Sequence, residues 1–148
     1  MASHCALELD ELSSRLVLVG SGVQTATVLT GALIVKEASK TPVEAYLGGE
    51  FRHGPIELAG RGLTAIIVDD PRSDSNDLER LAEELQSTGS TVKNLIPPVQ
   101  SFELGDQSNL ESLFFNTIAF QKLSVELAHR AGVVPGEFLY GRKITDAL

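Results

Sequence analysis

Two short apolar runs, Arg15-Leu16-Val17-Leu18-Val19 and Leu63-Thr64-Ala65-Ile66-Ile67-Val68, constrain this chain more than any other feature. Runs of this length with almost no polar residue read as strands covered on both faces. Between them, Val23 to Ala38 places small and apolar residues at helical spacing (Val23, Ala26, Leu29, Leu33) with few charges. A helix packed on most sides is expected there. Thr41 to Gly54 reads as an extended piece plus a short helical turn, stopped by Gly54-Pro55. Ser75 to Thr88 has the opposite character: Leu78, Leu81, Ala82 and Leu85 form one apolar stripe among acids, a surface amphipathic helix ended by Gly89. Thr91 to Ile96 reads as a third strand closed by Pro97-Pro98, and Ser101 to Leu104 as a candidate fourth. Asn109 to Arg130 reads as a long helix with Leu110, Leu113, Phe114, Ile118, Leu123 and Leu127 on or near one face, ended by Gly132.

Strands alternating with helices imply a parallel sheet with right-handed crossovers, a three-layer α/β arrangement of flavodoxin-like type. The expected organisation is a lead-in over 1–14, an α/β lobe over 15–132 and a C-terminal tail over 133–148. Ligands of such sheets bind outside the carboxyl ends of the strands. Gly20-Ser21-Gly22, the Asp69-Asp70 turn and the start of the first helix all fall there.

At 148 residues the chain can bury a core without disulfides or metal. Its formal net charge of −8 argues against a nucleic-acid surface and requires any phosphorylated ligand to be held by a local site. No run approaches the roughly 20 apolar residues of a membrane span. The acids Glu8, Asp10 and Glu11 do not fit a signal peptide, so a cytoplasmic setting is expected. The single cysteine, Cys5, excludes an internal disulfide and reads as an ordinary thiol. No spacing among His4, His53 and His129 suggests a metal site, and no cofactor is expected. His129, near the end of the long helix, reads as a cap or a packing residue.

Four places carry candidate chemistry. Gly20-Ser21-Gly22, between a strand and a helix, is either an anion cradle or a tight structural turn; Thr25 stands where a dinucleotide fingerprint needs its third glycine. Glu37 follows an almost uncharged helix, where a carboxyl can exchange protons with substrate carbon; it is otherwise a surface acid paired with Lys36 or Lys40. His53, held between Phe51-Arg52 and Gly54-Pro55, is a core histidine, a metal ligand or an acid–base group. Lys143 is either a solvated terminal lysine or an amine on a tail that closes over a site, excludes water and meets a carbonyl.

Lys36-Glu37, then Glu44-Ala45, then Gly49-Glu50-Phe51-Arg52-His53-Gly54-Pro55 resemble the second lobe of sugar isomerase (SIS) domains. That family includes the isomerase half of glucosamine-6-phosphate synthase and related phosphosugar isomerases and deaminases. Gly132-Val133-Val134-Pro135 and Arg142-Lys143-Ile144-Thr145 resemble its closing segment. The resemblance implies that Glu37 moves a proton between C1 and C2 of a sugar phosphate. It implies that His53 opens the ring, often in a neighbouring subunit's site, and that Lys143 engages the carbonyl. Gly20, Ser21, Gly22 and Arg142 are then the candidate phosphate contacts. The chain departs from the family in three ways. It lacks the Ser/Thr-rich phosphate loops of a first lobe, it has Ile34 where synthases carry a lysine, and it has no glutaminase domain. Three functions follow: an enzyme of C1/C2 proton transfer, a non-catalytic sugar-phosphate-binding lobe, or a dimerisation lobe. The partner would be a second copy or a separate first lobe.

Overall fold

The computed structural model describes residues 12–70, 76–95 and 108–141. Cys5, His4, the candidate strand at 101–104, Arg142 and Lys143 lie outside them. In chain order the elements are β1 (Arg15–Gly20), α1 (Gln24–Ser39), β2 (Val43–Leu47), two 3-10 turns (Glu50–Arg52 and Pro55–Leu58), β3 (Leu63–Val68), α2 (Asp77–Ser87), β4 (Thr91–Asn94) and α3 (Ser108–Ala131). All strand pairings are parallel, in the order β2-β1-β3-β4. The expected α/β layers are present, with one addition: the extended piece after Thr41 is a full edge strand.

The doubly buried runs explain the layering. Side chains of a strand alternate between faces. Leu16 and Leu18 of β1, with Ile66 and Val68 of β3, enter a core under α1 and α3. Val17 and Val19, with Leu63, Ala65 and Ile67, enter a second core under α2 and the first 3-10 turn. A strand so placed has no solvent face, and each fully buried Leu or Ile stabilises the fold by about 1.5–3 kcal/mol.

Two helix readings change. In α1 the buried residues are Gln24, Thr27, Val28, Gly31, Ala32, Val35 and Ser39, while Leu29 and Leu33 are exposed. In α3 the apolar residues split into two stripes. Phe120, Leu123 and Leu127 are in the core; Leu110, Phe114 and Ile118 face outward. The physical reason is phase. Leu110, Phe114 and Ile118 follow one another at i,i+4, but the step from Ile118 to Leu123 is five residues, which rotates the pattern off that face.

Helices α1 and α3 lie against each other through two devices. Phe120 packs on Gly31, where an added Cβ would sit 2.5 Å from the ring. The buried Gln24 amide is satisfied at both ends: Nε2 donates to Ser112 Oγ at 2.7 Å, and Oε1 accepts from Asn116 Nδ2 at 3.0 Å. A buried amide is costly unless both ends are paired, so this network fixes the register of the two helices. Helices α2 and α3 end in Schellman turns on Gly89 and Gly132, with Ser90 N–H reaching Leu85 O and Val133 N–H reaching Ala128 O.

Gly31→Ala is therefore expected to destabilise the fold by about 1–3 kcal/mol, the usual effect of overpacking. Urea denaturation of Gly31→Ala, Phe120→Leu and the double variant checks this. The double variant should recover part of the loss if the ring contact is the cause.

Candidate functional site

The order β2-β1-β3 places a topological switch point above the carboxyl ends of β1 and β3. Gly20-Ser21-Gly22 and Asp69-Asp70 meet there, as the sequence indicates. Their contacts are specific. Ser21 Oγ donates to Asp69 Oδ1 at 2.7 Å, the Asp70 N–H donates to the same oxygen at 2.9 Å, and Val23 N–H donates to Asp70 Oδ2 at 3.4 Å. Gly22, at φ 51°, leaves no room for a side chain because a Cβ would lie 2.5 Å from Asp70 Oδ2. The next N–H groups of α1 donate to Ser21 O, Gly22 O and Val23 O. Two carboxylates thus hold donors that an incoming phosphate would need.

Glu37 lies at the other end of α1. Its side chain is exposed and lines a cavity of about 270 Å³ with Lys40, Phe138, Leu139, Tyr140 and Gly141. The tail therefore returns to the end of α1. Gly136 N–H donates to Ala38 O at 3.4 Å, and the Lys40 ammonium donates to both Glu37 O and Glu137 O. The two residues after Gly141 are Arg142 and Lys143, so the tail enters this cavity just before its candidate amine. Lys40 was legible only as a possible partner of Glu37. Its bridging of helix end and tail has no signature in spacing.

A second cavity, of about 370 Å³, lies between α1 and β2, lined by Leu29, Ala32, Lys36, Glu44, Ala45 and Tyr46. Lys36 lines this one and Glu37 the other. The Tyr46 hydroxyl donates to Glu44, and its ring meets Phe51 edge-on at 5.3 Å between centroids. The hydrogen bond to Glu44 pushes the Tyr46 phenol up to about 12, with burial and the Glu44 charge adding in the same direction.

His53 sits where the sequence suggests, at a corner. Phe51 is fully buried in the core beneath α2, and Arg52 holds α2 through an ion pair with Glu84 and a 3.3 Å bond from Nη2 to Asp77 O. The His53 N–H donates to Glu50 O at 3.0 Å, and Gly54 at φ 115° turns the chain into Pro55. Anchors on Phe51 and Arg52 leave the imidazole exposed.

The structure does not bring Glu37 and His53 together. α1 runs back along the sheet, so Glu37 lies at the edge where β2 begins, whereas His53 follows the end of β2. A five-residue strand separates those edges by about 16 Å. The two also flank different cores: α1 covers one face, and Phe51 packs into the other.

Residues 12–96 match the SIS domain family model. Among known proteins, the chain is 29% identical over 143 residues to the isomerizing glutamine–fructose-6-phosphate aminotransferase of Pyrobaculum aerophilum, covering 90% of this chain and 23% of that one. It is 32% identical over 96 residues to the same enzyme of Aeropyrum pernix, covering 65% and 15%. The chain thus spans less than a quarter of the length of these relatives. Among solved structures, glucosamine-6-phosphate deaminase of Thermotoga maritima superposes with a TM-score of 0.66 at 28% identity, covering 86% of this chain and 39% of that one. The fold alone is shared with tagatose-6-phosphate ketose/aldose isomerase of Escherichia coli, at a TM-score of 0.68, 21% identity and coverage of 89% and 40%.

Two outcomes are expected. Lys40→Met should release the tail, read as faster amide hydrogen exchange over 134–141 with α1 protection kept; unchanged exchange would show that Lys40 does not hold it. In a 295 nm titration, Tyr46 should ionise near pH 12, and Glu44→Gln should lower that value. Because the folded phenol is raised, its contribution to stability is complete below the ordinary tyrosine range and is lost as pH rises toward 12.

Proposed function

This chain belongs to the SIS domain family, and on that premise we propose that it binds a phosphorylated sugar or amino sugar and transfers a proton between C1 and C2. The reaction class is aldose–ketose isomerisation or the related amination or deamination. One observation carries the reading: the carboxylate of Glu37 rims a cavity whose opposite wall is the tail segment leading directly into Arg142 and Lys143.

In this reading His53 protonates the ring oxygen and takes the hydroxyl proton as the sugar opens. The Glu37 carboxylate removes the proton next to the carbonyl and returns it to the adjacent carbon. The Lys143 ammonium polarises the carbonyl oxygen where negative charge gathers. The tail excludes water while the carbanion equivalent exists. Arg142 supplies charge for the phosphate, and Ser21 with the glycines beside it joins only if the phosphate displaces Asp69 and Asp70 from their donors. Since Glu37 and His53 lie at opposite edges, the complete site is formed by two copies, Glu37 from one and His53 from the other. A cytoplasmic homodimer acting on a metabolite, without nucleic acid or membrane, fits this reading.

A second reading is favoured by the same separation and by Ile34. Without a partner the chain is a sugar-phosphate-binding or dimerisation lobe that requires a separate first lobe.

Calorimetry with fructose 6-phosphate and glucosamine 6-phosphate, with turnover assays, tests the proposal. Glu37→Gln should keep binding and lose about 10²–10⁴-fold in kcat, the usual worth of a general base. Mixing Glu37→Gln with His53→Gln should restore about a quarter of wild-type activity, because half the dimers are mixed and each has one intact site. No complementation places the site within one chain. Binding that survives loss of both residues, with no turnover, supports the binding lobe.

A further inference from the structure

We propose that Glu84, on α2, is a positioning residue for His53: acting through Arg52, it sets the direction in which the imidazole is presented. The corner that carries His53 is not held from its downstream side. Gly54 follows at φ 115° with no atom within 4 Å of where a Cβ would lie, and His53 and Gly54 are both exposed. Bonds within the turn, from His53 N–H to Glu50 O at 3.0 Å and from Arg52 N–H to Gly49 O at 3.2 Å, shape the corner without tying it to another element. The two side chains before His53 do that.

A 3-10 turn advances about 120° per residue, so Phe51, Arg52 and His53 leave the chain in three different directions. Phe51 enters the core beneath α2, where Tyr46 meets its ring edge-on. Taken alone it pins one point and leaves the corner free to turn about it. Arg52 supplies the second point: Nη1 pairs with the Glu84 carboxylate, and Nη2 donates to Asp77 O at 3.3 Å. Asp77 and Glu84 lie about two helical turns apart along α2, so a planar guanidinium bonded to both cannot swivel. Leu78, Leu81 and Leu85 sink α2 into the core, which makes it a rigid platform. With two directions taken, the third is left to His53.

Exposure separates positioning from stability. The Arg52 side chain is 34% exposed and that of Glu84 51%, and ion pairs this open to water contribute little to global stability. The effect of the pair is therefore local, and the group one residue away is His53. The orientation itself rests on these contacts; its consequence for turnover rests on the ring opening assigned to His53 under the proposed function.

The test follows the His53 imidazole of the full chain by carbon-13 relaxation, resolvable among three histidines, together with amide hydrogen exchange. Glu84→Gln should keep the wild-type circular dichroism and urea midpoint, raise the mobility of the imidazole and speed exchange of the His53 N–H about tenfold or more. Adding Glu84→Gln to Arg52→Gln should change nothing further, because both act through one contact. Unchanged imidazole mobility in Glu84→Gln overturns the proposal, as does an added loss in the double variant. Exchange that rises equally along all of α2 overturns it by making the role structural. Kinetics supply the second arm. Fructose 6-phosphate closes its ring through O5, whereas 5-deoxyfructose 6-phosphate lacks that oxygen and stays open. Glu84→Gln should lower kcat on the first by about 10–100-fold with KM kept, and leave the second at the wild-type rate. Equal losses on both sugars, or none on either, overturn the positioning role. A wild type that turns over neither sugar sinks the proposed function, and the mobility measurement still decides the orientation.

Discussion

Parallel pairing of β1 with both of its neighbours requires every connection to cross the whole sheet before the next strand begins. That requirement decides where chemistry can sit. α1 must carry the chain from the carboxyl edge back to the amino edge, and it deposits Glu37 there. β2 then returns the chain to the carboxyl edge, and only afterwards does His53 appear. Sixteen residues of sequence suggest proximity, but the crossover makes those sixteen residues span the molecule. Among the described residues, the fold keeps this candidate pair apart.

The layering was legible because it rests on composition. β1 and β3 have no solvent face and can contain little that is polar, and α2 shows its amphipathic stripe without ambiguity. β2 was harder to read because it is an edge strand, with exposed Glu44 and Leu47 among half-buried residues. In α1 the buried side includes Gln24, Thr27, Gly31 and Ser39, so burial there does not follow hydrophobicity. Gly31 is buried because Phe120 needs its space, and Gln24 because Ser112 and Asn116 satisfy it. Neither partner is near in sequence, and no helical repeat within α1 reports on α3.

The candidate site divides in the same way. Backbone punctuation revealed the corner at His53 and the turn at Gly20–Gly22, since glycine and proline act locally. What each turn presents depends on distant residues. Asp69 and Asp70 are about fifty positions from Ser21, yet they decide that the turn faces carboxylates. Phe51 and Arg52 decide that His53 faces water, by anchoring to a core and to α2.

Lys40 gives a further reason to look at the end of α1. Among the described residues it is the one non-glycine in the left-handed region, at φ 59°, and its N–H closes the helix onto Lys36 O at 3.0 Å. Glycine is the usual residue at such a helix end, and a side chain there costs of order 1–2 kcal/mol. α2 and α3 follow that rule with Gly89 and Gly132. At the end of α1 the chain places a lysine instead, and the long side chain reaches two carbonyls, one on the helix that carries Glu37 and one on the tail that leads to Lys143. Glycine would relieve the backbone and lose the tether. A local rule followed at two helix ends and broken at the third sets a backbone cost against the tether that Lys40 makes. The break falls three residues from Glu37.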